Sequence, residues 1–511
     1  MPDKKTIYLI HPASGITFSG LSECMDLFGR RAMCPNLALP TLAALVDEES
    51  FRVILCDENV EAVDFDLGCD IVGLTACHNQ KERAFDIGRA FKERGKLVVM
   101  GGVVATLTLP DTHPLIDVIF RGEAERTWPQ FLRDYLQGRH RPIYREDCFL
   151  DMALSPTPRL DLLPGDRYLM GTIQISRGCP FRCEYCSSIV LAGQAMRYKS
   201  SGQVTAELEQ LHRLGYRDIF VADDNFTADR RRVKEILELL RDWNRAHDEP
   251  LTFSANISID FARQQKLVPL LAEALVLNVF VGIESPNRDS LVETGKLQNL
   301  KGDMLQHIEG LHRRGIDVSA GMIVGFDHDN RDIFQLHADF LKKAHIPVCF
   351  VGMLLAPDGT PLKKRLLQEG RYLGSEIVGN HSSESNIIPK QMGAEELRNG
   401  YFWLMNRLYG EQHFIQRIKE VLPLYPKARV RRSRSKLRLF PVLTRLVVYY
   451  MREGKTMRQM FRQFFSLILK YRHHRELIVY WMIAYKHFRQ TLIRHGVWKQ
   501  HFVPPRQYGA Q

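Results

Sequence analysis

Three cysteines lie within eight residues in the stretch SRGCPFRCEYCS, at Cys179, Cys183 and Cys186. Their spacing is C-x3-C-x2-C, and the other seven of the ten cysteines are isolated. A structural zinc site usually pairs C-x-x-C with a second pair elsewhere, and a redox C-x-x-C motif needs only two cysteines. Three thiolates on one short loop can instead hold three irons of a 4Fe–4S cluster, for which the usual count is four cysteines. A missing fourth ligand leaves one iron open to a substrate or a cofactor.

The chemistry of such a loop depends on where the fold places it. Six apolar segments follow one another from the second third of the chain onward, with helical patterns between them. They begin near Thr172, Asp218, Leu251, Asn278, Asp317 and Val348. Six such βα units predict a partial (βα)6 barrel, in which functional residues lie at the carboxyl ends of the strands. The cysteine stretch directly follows the first predicted strand.

Residues 1–140 show another α/β pattern, with apolar strands such as CDIVGLTA and KLVVMGG separated by helical segments. Strands without polar alternation imply a parallel sheet that is covered on both faces. We therefore predict a doubly wound, Rossmann-like domain whose ligand lies outside the carboxyl ends of its strands. These predicted ends carry Thr75, Ala76, Gly101, Gly102, Gly122 and Glu123. Glycine at such a position lets a bulky ligand approach the backbone closely.

Two further segments complete the chain. Residues 141–168 include Pro156, Pro158 and Pro164 and show no hydrophobic period, which predicts a linker to a barrel over residues 169–374. Residues 375–511 show helical patterns only, rich in arginine and aromatic side chains. The net charge of +11 arises there, because residues 421–511 carry 20 Lys/Arg and two acids, which leaves −7 for the rest. An electrostatic partner is therefore expected to bind the C-terminal segment.

The composition is that of a globular protein with several domains. It is 45% hydrophobic and 25% charged, and 511 residues are too many for one core. No apolar run approaches the length of a transmembrane helix, and the first residues lack the pattern of a signal peptide. We therefore expect a cytoplasmic location, where thiols stay reduced and ten cysteines do not form a disulfide framework.

The segment RGCPFRCEYC, with Tyr185 just before the last cysteine, resembles the signature of the radical S-adenosylmethionine (radical SAM) enzymes. This resemblance implies an enzyme whose three cysteines bind a 4Fe–4S cluster and whose open iron takes the amino and carboxylate groups of SAM. It also implies an external electron donor, because one electron from the cluster cleaves SAM. The 5′-deoxyadenosyl radical that results abstracts hydrogen from the substrate.

The same resemblance assigns SAM contacts at other strand ends of the barrel. VADDNF stands where the family binds the amino group of SAM, GIES at its ribose-contacting strand, and GMIVGF at its adenine-contacting strand. The SAM-binding residues that it implies are Tyr185, Asp223, Asp224, Asn225, Glu284, Ser285, Ile323 and Gly325. From the residues alone, Asp223 and Asp224 could equally be helix-capping or solvated carboxylates, and Glu284 a paired structural acid. No catalytic acid or base is assigned.

The first domain resembles the cobalamin-binding domain of one large radical SAM subfamily, through DIVGLTACHNQKERAFDIGRAFKERG, VVMGGVVATLTLP and VIFRGEAERTWPQFL. The resemblance implies cobalamin at the strand ends named above. Many cobalamin domains carry a cobalt-ligating D-x-H-x-x-G motif after the first strand, but this chain reads LIHPASGITFSG there. Members of this subfamily generally lack the motif as well. We interpret His11, which precedes a proline at the strand end, as structural.

The basic and aromatic C-terminal segment leaves three interpretations open. It predicts helices at a membrane surface, an RNA-binding patch, or a helical lid on the barrel. Nucleic acid is the least favoured partner, because no RNA-recognition signature accompanies the charge. The segment resembles the C-terminal extension of cobalamin-type radical SAM enzymes that act on hopanoid lipids and on bacteriochlorophyll rings. That likeness implies an apolar substrate and peripheral contact with an anionic membrane at its inner face.

The leading hypothesis is a cobalamin-dependent radical SAM methyltransferase that acts on an apolar, lipid-like or tetrapyrrole small molecule. An alternative with the same cluster chemistry is a radical SAM enzyme that forms a C–C or C–O bond or a ring. A tRNA-modifying radical SAM enzyme would explain the basic tail, and a cobalamin- or cluster-based sensor is the non-enzymatic alternative.

Overall fold

The computed structural model describes residues 4–15, 20–374, 384–427 and 436–499. Along the described chain, two parallel sheets with their helices are followed by a group of helices. The predicted α/β class with a helical C-terminal region is therefore confirmed. The boundary predicted at residue 375 lies outside the described residues.

The first sheet contains six parallel strands in the order β2-β1-β3-β4-β5-β6. Its strands are β1 (Lys5–His11), β2 (Phe51–Asp57), β3 (Ile71–Thr75), β4 (Leu97–Gly101), β5 (Val118–Arg121) and β6 (Ile143–Arg145). The helices of this region are α1 (Met25–Phe28), α2 (Ala38–Ala43), α3 (Lys81–Glu93), α4 (Gly102–Leu107) and α5 (Thr127–Leu136). The strands run without polar alternation because apolar side chains on both faces are covered, as in other doubly wound sheets.

Strand β6 was not predicted. It pairs with β5 through Ile119 and Ile143, so the predicted linker of residues 141–168 begins within the first sheet. Its three residues are too few to show a hydrophobic period, and they lie between polar and proline-rich stretches. The domain limits remain predictions, and β6 moves the edge of the first sheet to Arg145.

The second sheet contains the six strands of the predicted partial barrel, all parallel, in the order β14-β13-β12-β11-β10-β7. They are β7 (Gly171–Ile173), β10 (Asp218–Val221), β11 (Thr252–Ile257), β12 (Val276–Glu284), β13 (Asp317–Val324) and β14 (Cys349–Met353). A short antiparallel ribbon, β8 (Ser176–Arg177) with β9 (Arg197–Tyr198), follows β7. The barrel is therefore open between its edge strands β7 and β14.

Eight helices accompany these strands within the described residues. They are α6 (Ser188–Leu191), α7 (Ser201–Arg213), α8 (Arg230–Arg245), α9 (Val268–Glu273), α10 (Arg288–Glu293), α11 (Met304–His312), α12 (Ile333–Lys343) and α13 (Pro361–Gln368). Their starts follow local capping chemistry: Ser200 and Gln203 form a capping box at α7, and Asp229 accepts hydrogen bonds from two backbone N–H groups of α8.

The described C-terminal region contains α14 (Ala394–Tyr409), α15 (Glu411–Val421), α16 (Lys436–Arg452), α17 (Lys455–Lys470) and α18 (Arg475–Arg494). Helix α18 lies between the barrel and α1: Phe488 packs against Phe350 of β14 with ring centroids 5.3 Å apart, and Lys486 Nζ donates to Asp26 Oδ1 at 3.0 Å. The basic run RVRRSRSK spans residues 429–436, and all of it except Lys436 lies outside the described residues. Among the helices that are described, we find none long and apolar enough to cross a membrane.

Candidate active site

The cysteine loop begins where β8 ends, at the carboxyl end of the barrel. Gly178 has φ +98°, and a Cβ there would lie 2.4 Å from the carbonyl oxygen of Ala195, so only glycine fits. The backbone N–H of Cys179 donates to the carbonyl of Gly193 at 3.1 Å. These contacts bring the start of the loop against the segment that returns to β9.

The three thiols fit a cluster better than a single metal ion. No three His, Cys, Asp or Glu side chains converge on one ion position within the described residues. In a 4Fe–4S cluster, however, each thiolate binds a different iron, and the ligand set is thiolate. Burial raises the pKa of Cys179, and the neighbouring Cys186 and Cys183 thiols raise it further, as expected for three thiols that lie close together.

Glu284 lies at the end of β12 in a left-handed conformation, with φ 65°. Its Oε1 accepts a hydrogen bond from Lys296 Nζ at 2.7 Å, and both side chains are largely buried. A Cβ on Gly282 would lie 2.5 Å from Glu284 Oε1 and 2.9 Å from Lys296 Nζ, so the ion pair packs directly on this glycine. Burial opposes the ammonium charge, yet Glu284 raises the pKa of Lys296 above its usual value.

Sequence reasoning did not find Lys296. It lies twelve positions after Glu284, in a loop before a short 3-10 helix, and no motif marks it. Two residues after Lys296, Gln298 Nε2 donates to Cys183 Sγ at 3.8 Å. The segment after α10 therefore contacts both the cysteine loop and Glu284.

The VADDNF residues differ in what they contact. Asp223 is almost fully buried: its Oδ1 accepts from the backbone N–H of Ile175 at 2.7 Å, and its Oδ2 accepts from Ser176 Oγ at 2.6 Å. Burial raises the pKa of Asp223 to about 6. Both of its oxygens thus already bind the strand end that leads into the cysteine loop.

Asp224 and Asn225 also support this loop. Asp224 Oδ2 accepts from the backbone N–H of Gly178 at 3.1 Å. Asn225 Oδ1 accepts from the backbone N–H of Thr227 at 3.2 Å, and the Asn225 side chain lies beside Cys179, where its hydrogen bond acts to lower the pKa of that thiol against the effect of burial.

Two of the remaining predicted SAM contacts, Tyr185 and Ile323, lie against the apolar group around Phe326. Tyr185 packs against Phe326 with ring centroids 5.9 Å apart, and Ile323 packs on the same group. Burial and the Glu284 carboxylate raise the pKa of the Tyr185 phenol. Ser285 Oγ accepts from the backbone N–H of Asn287 at 3.1 Å. Gly325 has φ +106°, a conformation that favours glycine.

A cavity of about 560 Å³ lies at the carboxyl ends of the first sheet. Its lining includes the predicted residues Thr75, Gly101, Gly102 and Gly122, and it extends to the barrel at Phe220. Gly102 has φ +84°, and a Cβ there would lie 2.6 Å from Thr75 Oγ1. Ala76 is buried beneath this surface.

Glu123 was predicted as a cobalamin contact, but its carboxylate is engaged in pairs between the first sheet and the barrel. Its oxygens accept from Arg197 at 2.8 and 2.9 Å, from Arg177 at 3.3 Å, and from the backbone N–H of Leu150 at 2.5 Å. Burial opposes ionisation, but Arg197 and the Leu150 N–H hold the pKa of Glu123 below its usual value. Arg177 also pairs with Glu125 at 2.7 Å. Glu123 therefore connects the first sheet to the β8–β9 ribbon, whose two strands flank the cysteine loop.

A second cavity, of about 800 Å³, occupies the barrel lumen and is bordered by loops of the first domain. It shares His11, Cys34 and Phe220 with the first cavity. His11 Nδ1 lies 3.2 Å from Asp57 Oδ1, and His11 Nε2 lies 2.9 Å from Gln80 Nε2, which donates to it. Both ring nitrogens are thus hydrogen-bonded within the domain, in agreement with the structural interpretation of His11.

The family model described as the radical SAM superfamily matches residues 173–341, and one described as a domain of unknown function, DUF4070, matches residues 360–500. An uncharacterized methyltransferase of Synechocystis sp. is 33% identical over 417 residues, which cover 80% of this chain and 77% of the relative. The chain therefore belongs to the radical SAM superfamily, as predicted. It is an enzyme whose cofactors are a 4Fe–4S cluster and SAM, with a small-molecule substrate and an external reductant.

More particular relatives point to methylation. Hopanoid C-2 methylase of Rhodopseudomonas palustris is 30% identical over 362 residues, covering 70% of this chain and 67% of that one. The fold is similar to that of the cobalamin-dependent SAM radical enzyme OxsB, with a TM-score of 0.60 and 17% identity over 97% of this chain and 80% of OxsB. It is also similar to that of the methyltransferase TsrM of Kitasatospora setae, with a TM-score of 0.57 and 16% identity over 72% and 78% of the two chains.

Proposed function

We propose that the protein is a cobalamin-dependent radical SAM C-methyltransferase that acts on an apolar small molecule. The observation that carries this proposal is the junction of two cavities at His11, Cys34 and Phe220, which joins the carboxyl ends of the first sheet to the barrel lumen. A ligand held by the first domain would there face a substrate in the lumen. The names of the methylase relatives and of the cobalamin-bound TsrM and OxsB structures support the same reading.

The residues present fit a large cofactor at this junction. Thr75, Gly101, Gly102 and Gly122 line the first cavity and would hold cobalamin by close backbone approach. Cys179, Cys183 and Cys186 would hold the cluster. When bound, cobalamin supplies the methyl group, and the cluster with SAM supplies the radical that activates the substrate carbon. The polypeptide contributes binding and orientation.

Filling the first cavity should weaken cobalamin binding without changing the fold. Ala124 lines the cavity, so Ala124→Trp is expected to weaken hydroxocobalamin binding by at least tenfold, measured by equilibrium dialysis of the full chain. Ala62 lies on the exposed surface of the same domain, and Ala62→Trp is the matched control with unchanged affinity. Equal cobalamin binding by both variants, or none by the unmodified chain, would refute the proposed site.

We also propose that the enzyme works at an anionic membrane surface. Helices α16 and α17 expose an apolar stripe that consists of Leu443, Val447, Val448, Met451, Phe465 and Leu469. The α16 members recur at spacings of four, one and three residues and so share one helix face. Arg452, Arg458, Arg462 and Lys470 lie on the same two helices. Exposed apolar side chains and cations on the same helices fit a membrane surface, where the cations would contact anionic headgroups and the apolar side chains the lipid acyl chains.

Sedimentation with vesicles tests this surface. The full chain should sediment with phosphatidylserine-containing vesicles at low salt, less at about 1 M salt where screening is strong, and not with pure phosphatidylcholine. Val448→Asp should weaken the association severalfold, because a carboxylate then faces the anionic headgroups. Point variants are needed, since removal of the tail would also remove the buried Trp481, Tyr485 and Phe488 of α18 and expose the surface against which they pack.

The matched control is Val292→Asp, the same change at an exposed valine of α10. It should leave vesicle binding unchanged. If the full chain ignores phosphatidylserine vesicles at low salt, or if both variants bind alike, α16 and α17 do not form a membrane surface.

A further inference from the structure

The side chains that face the middle of the barrel lumen are neutral. Lumen-facing positions alternate along each strand. They include Phe220 on β10, Ser254 on β11, Asn278 and Phe280 on β12, Ser319 on β13 and Phe350 on β14, and all six line the second cavity. This part of the lumen thus combines three aromatic rings with two hydroxyls and one amide.

Charged groups around the same cavity, namely Arg31, Asp57 and Glu58, all belong to its first-domain side. Asp57 accepts from Tyr168 Oη at 2.9 Å and from Asn59 Nδ2 at 2.7 Å. Glu58 pairs with Arg83, and Arg31 is exposed. A charged substrate group that lay between the barrel strands would therefore lose its hydration without meeting an opposite charge there, which is strongly unfavourable.

The neutral polar groups keep unused hydrogen-bonding capacity. Asn278 Nδ2 donates to Ser254 Oγ at 3.4 Å, while the amide oxygen of Asn278 and the hydroxyl of Ser319 make no hydrogen bond with other described residues. Both side chains are half-buried and border the cavity. Gly321 leaves room for the ring of Phe280 in the lumen, because a Cβ at this position would lie 2.5 Å from that ring.

We infer that the acceptor enters the lumen as an uncharged molecule, with an apolar body between the phenylalanine rings and a hydroxyl or carbonyl group at Asn278 and Ser319. This inference rests on the proposed function, since it assigns the acceptor of that reaction to the lumen. It separates a neutral acceptor from an amino acid, a nucleotide or a phosphate ester. Each of these would bring a charge for which this part of the lumen offers no partner.

Three pyrene compounds that differ mainly in charge test the inference: 1-pyrenemethanol, 1-pyrenemethylamine and 1-pyrenecarboxylate. Fluorescence anisotropy with the full chain should show 1-pyrenemethanol bound at least tenfold more tightly than the amine or the carboxylate. Asn278→Asp keeps the side-chain shape and adds a negative charge. It should weaken 1-pyrenemethanol binding and strengthen 1-pyrenemethylamine binding, and Ser319→Asp should do the same if the first variant fails to fold.

The control is Asn330→Asp, the same chemical change at an exposed position, which should leave all three affinities unchanged. Charged and neutral pyrenes bound equally well, or affinities that do not respond to the aspartates in the lumen, would overturn the inference. The experiment needs neither cobalamin nor iron. A chain that prefers the neutral pyrene but binds no cobalamin would keep this inference and lose the proposed function.

Discussion

Replacing Cys179, Cys183 and Cys186 together by alanine is expected to remove the iron–sulfur absorption of the protein and to abolish its reductive cleavage of SAM. The reason is chemical: the loop supplies three thiolates, and alanine supplies no ligand for iron. The reconstituted unmodified chain should hold about four irons. Iron content, visible absorption and 5′-deoxyadenosine formation under reducing, anaerobic conditions measure the effect.

The control keeps the number of changes similar but leaves the loop intact. Cys77 and Cys148 are exposed and lie outside the barrel, so their replacement by alanine should leave iron content and SAM cleavage unchanged. Reductive SAM cleavage by the loop variant would show that the cluster is bound elsewhere.

Glu284→Gln is expected to weaken SAM binding by about tenfold to a hundredfold. The prediction follows from the family's placement of this residue against the ribose hydroxyls. Loss of charge-assisted hydrogen bonds costs about 1.5–3 kcal/mol, and 1.4 kcal/mol corresponds to about tenfold in affinity. The affinity is measured by equilibrium binding to the reconstituted protein, with iron content as the check that the cluster is retained.

The ion pair with Lys296 complicates this substitution, because Glu284→Gln also leaves a buried ammonium without its carboxylate. The double variant Glu284→Gln/Lys296→Met removes both charges and should recover stability but not SAM affinity. Glu273→Gln, at an exposed carboxylate, is the matched control. If the double variant binds SAM as the unmodified chain does, Glu284 acts only through its pair and does not contact the cofactor.

Except for the three-residue β6, the strands of both sheets could be predicted from sequence because buried parallel strands appear as continuous apolar runs. The strand ends then placed Thr75 at a cavity surface and Glu284 at the carboxyl end of β12 without any knowledge of their partners. Lys296 could not be predicted, since its contact with Glu284 depends on how the loop after α10 returns to β12. Glu123 had the same limitation, because its arginine partners lie more than fifty residues away.

The C-terminal helices show a different limit. Basic and aromatic residues alternate in α16, α17 and α18 alike, so their patterns are similar along the sequence. In the folded protein, α18 packs against α1 and the barrel, whereas α16 and α17 keep an exposed apolar stripe. The lid interpretation therefore concerns α18, and the proposed membrane surface concerns α16 and α17.

The central claim is that one chain holds both a 4Fe–4S cluster and cobalamin. It is tested most directly by elemental analysis of the full chain, produced anaerobically with cobalamin in excess and freed of unbound cofactor. The account predicts about four irons and one cobalt per chain, with the cobalt retained and the iron lost in the triple cysteine variant. Four irons without cobalt would contradict it and leave a radical SAM enzyme whose first domain serves another purpose.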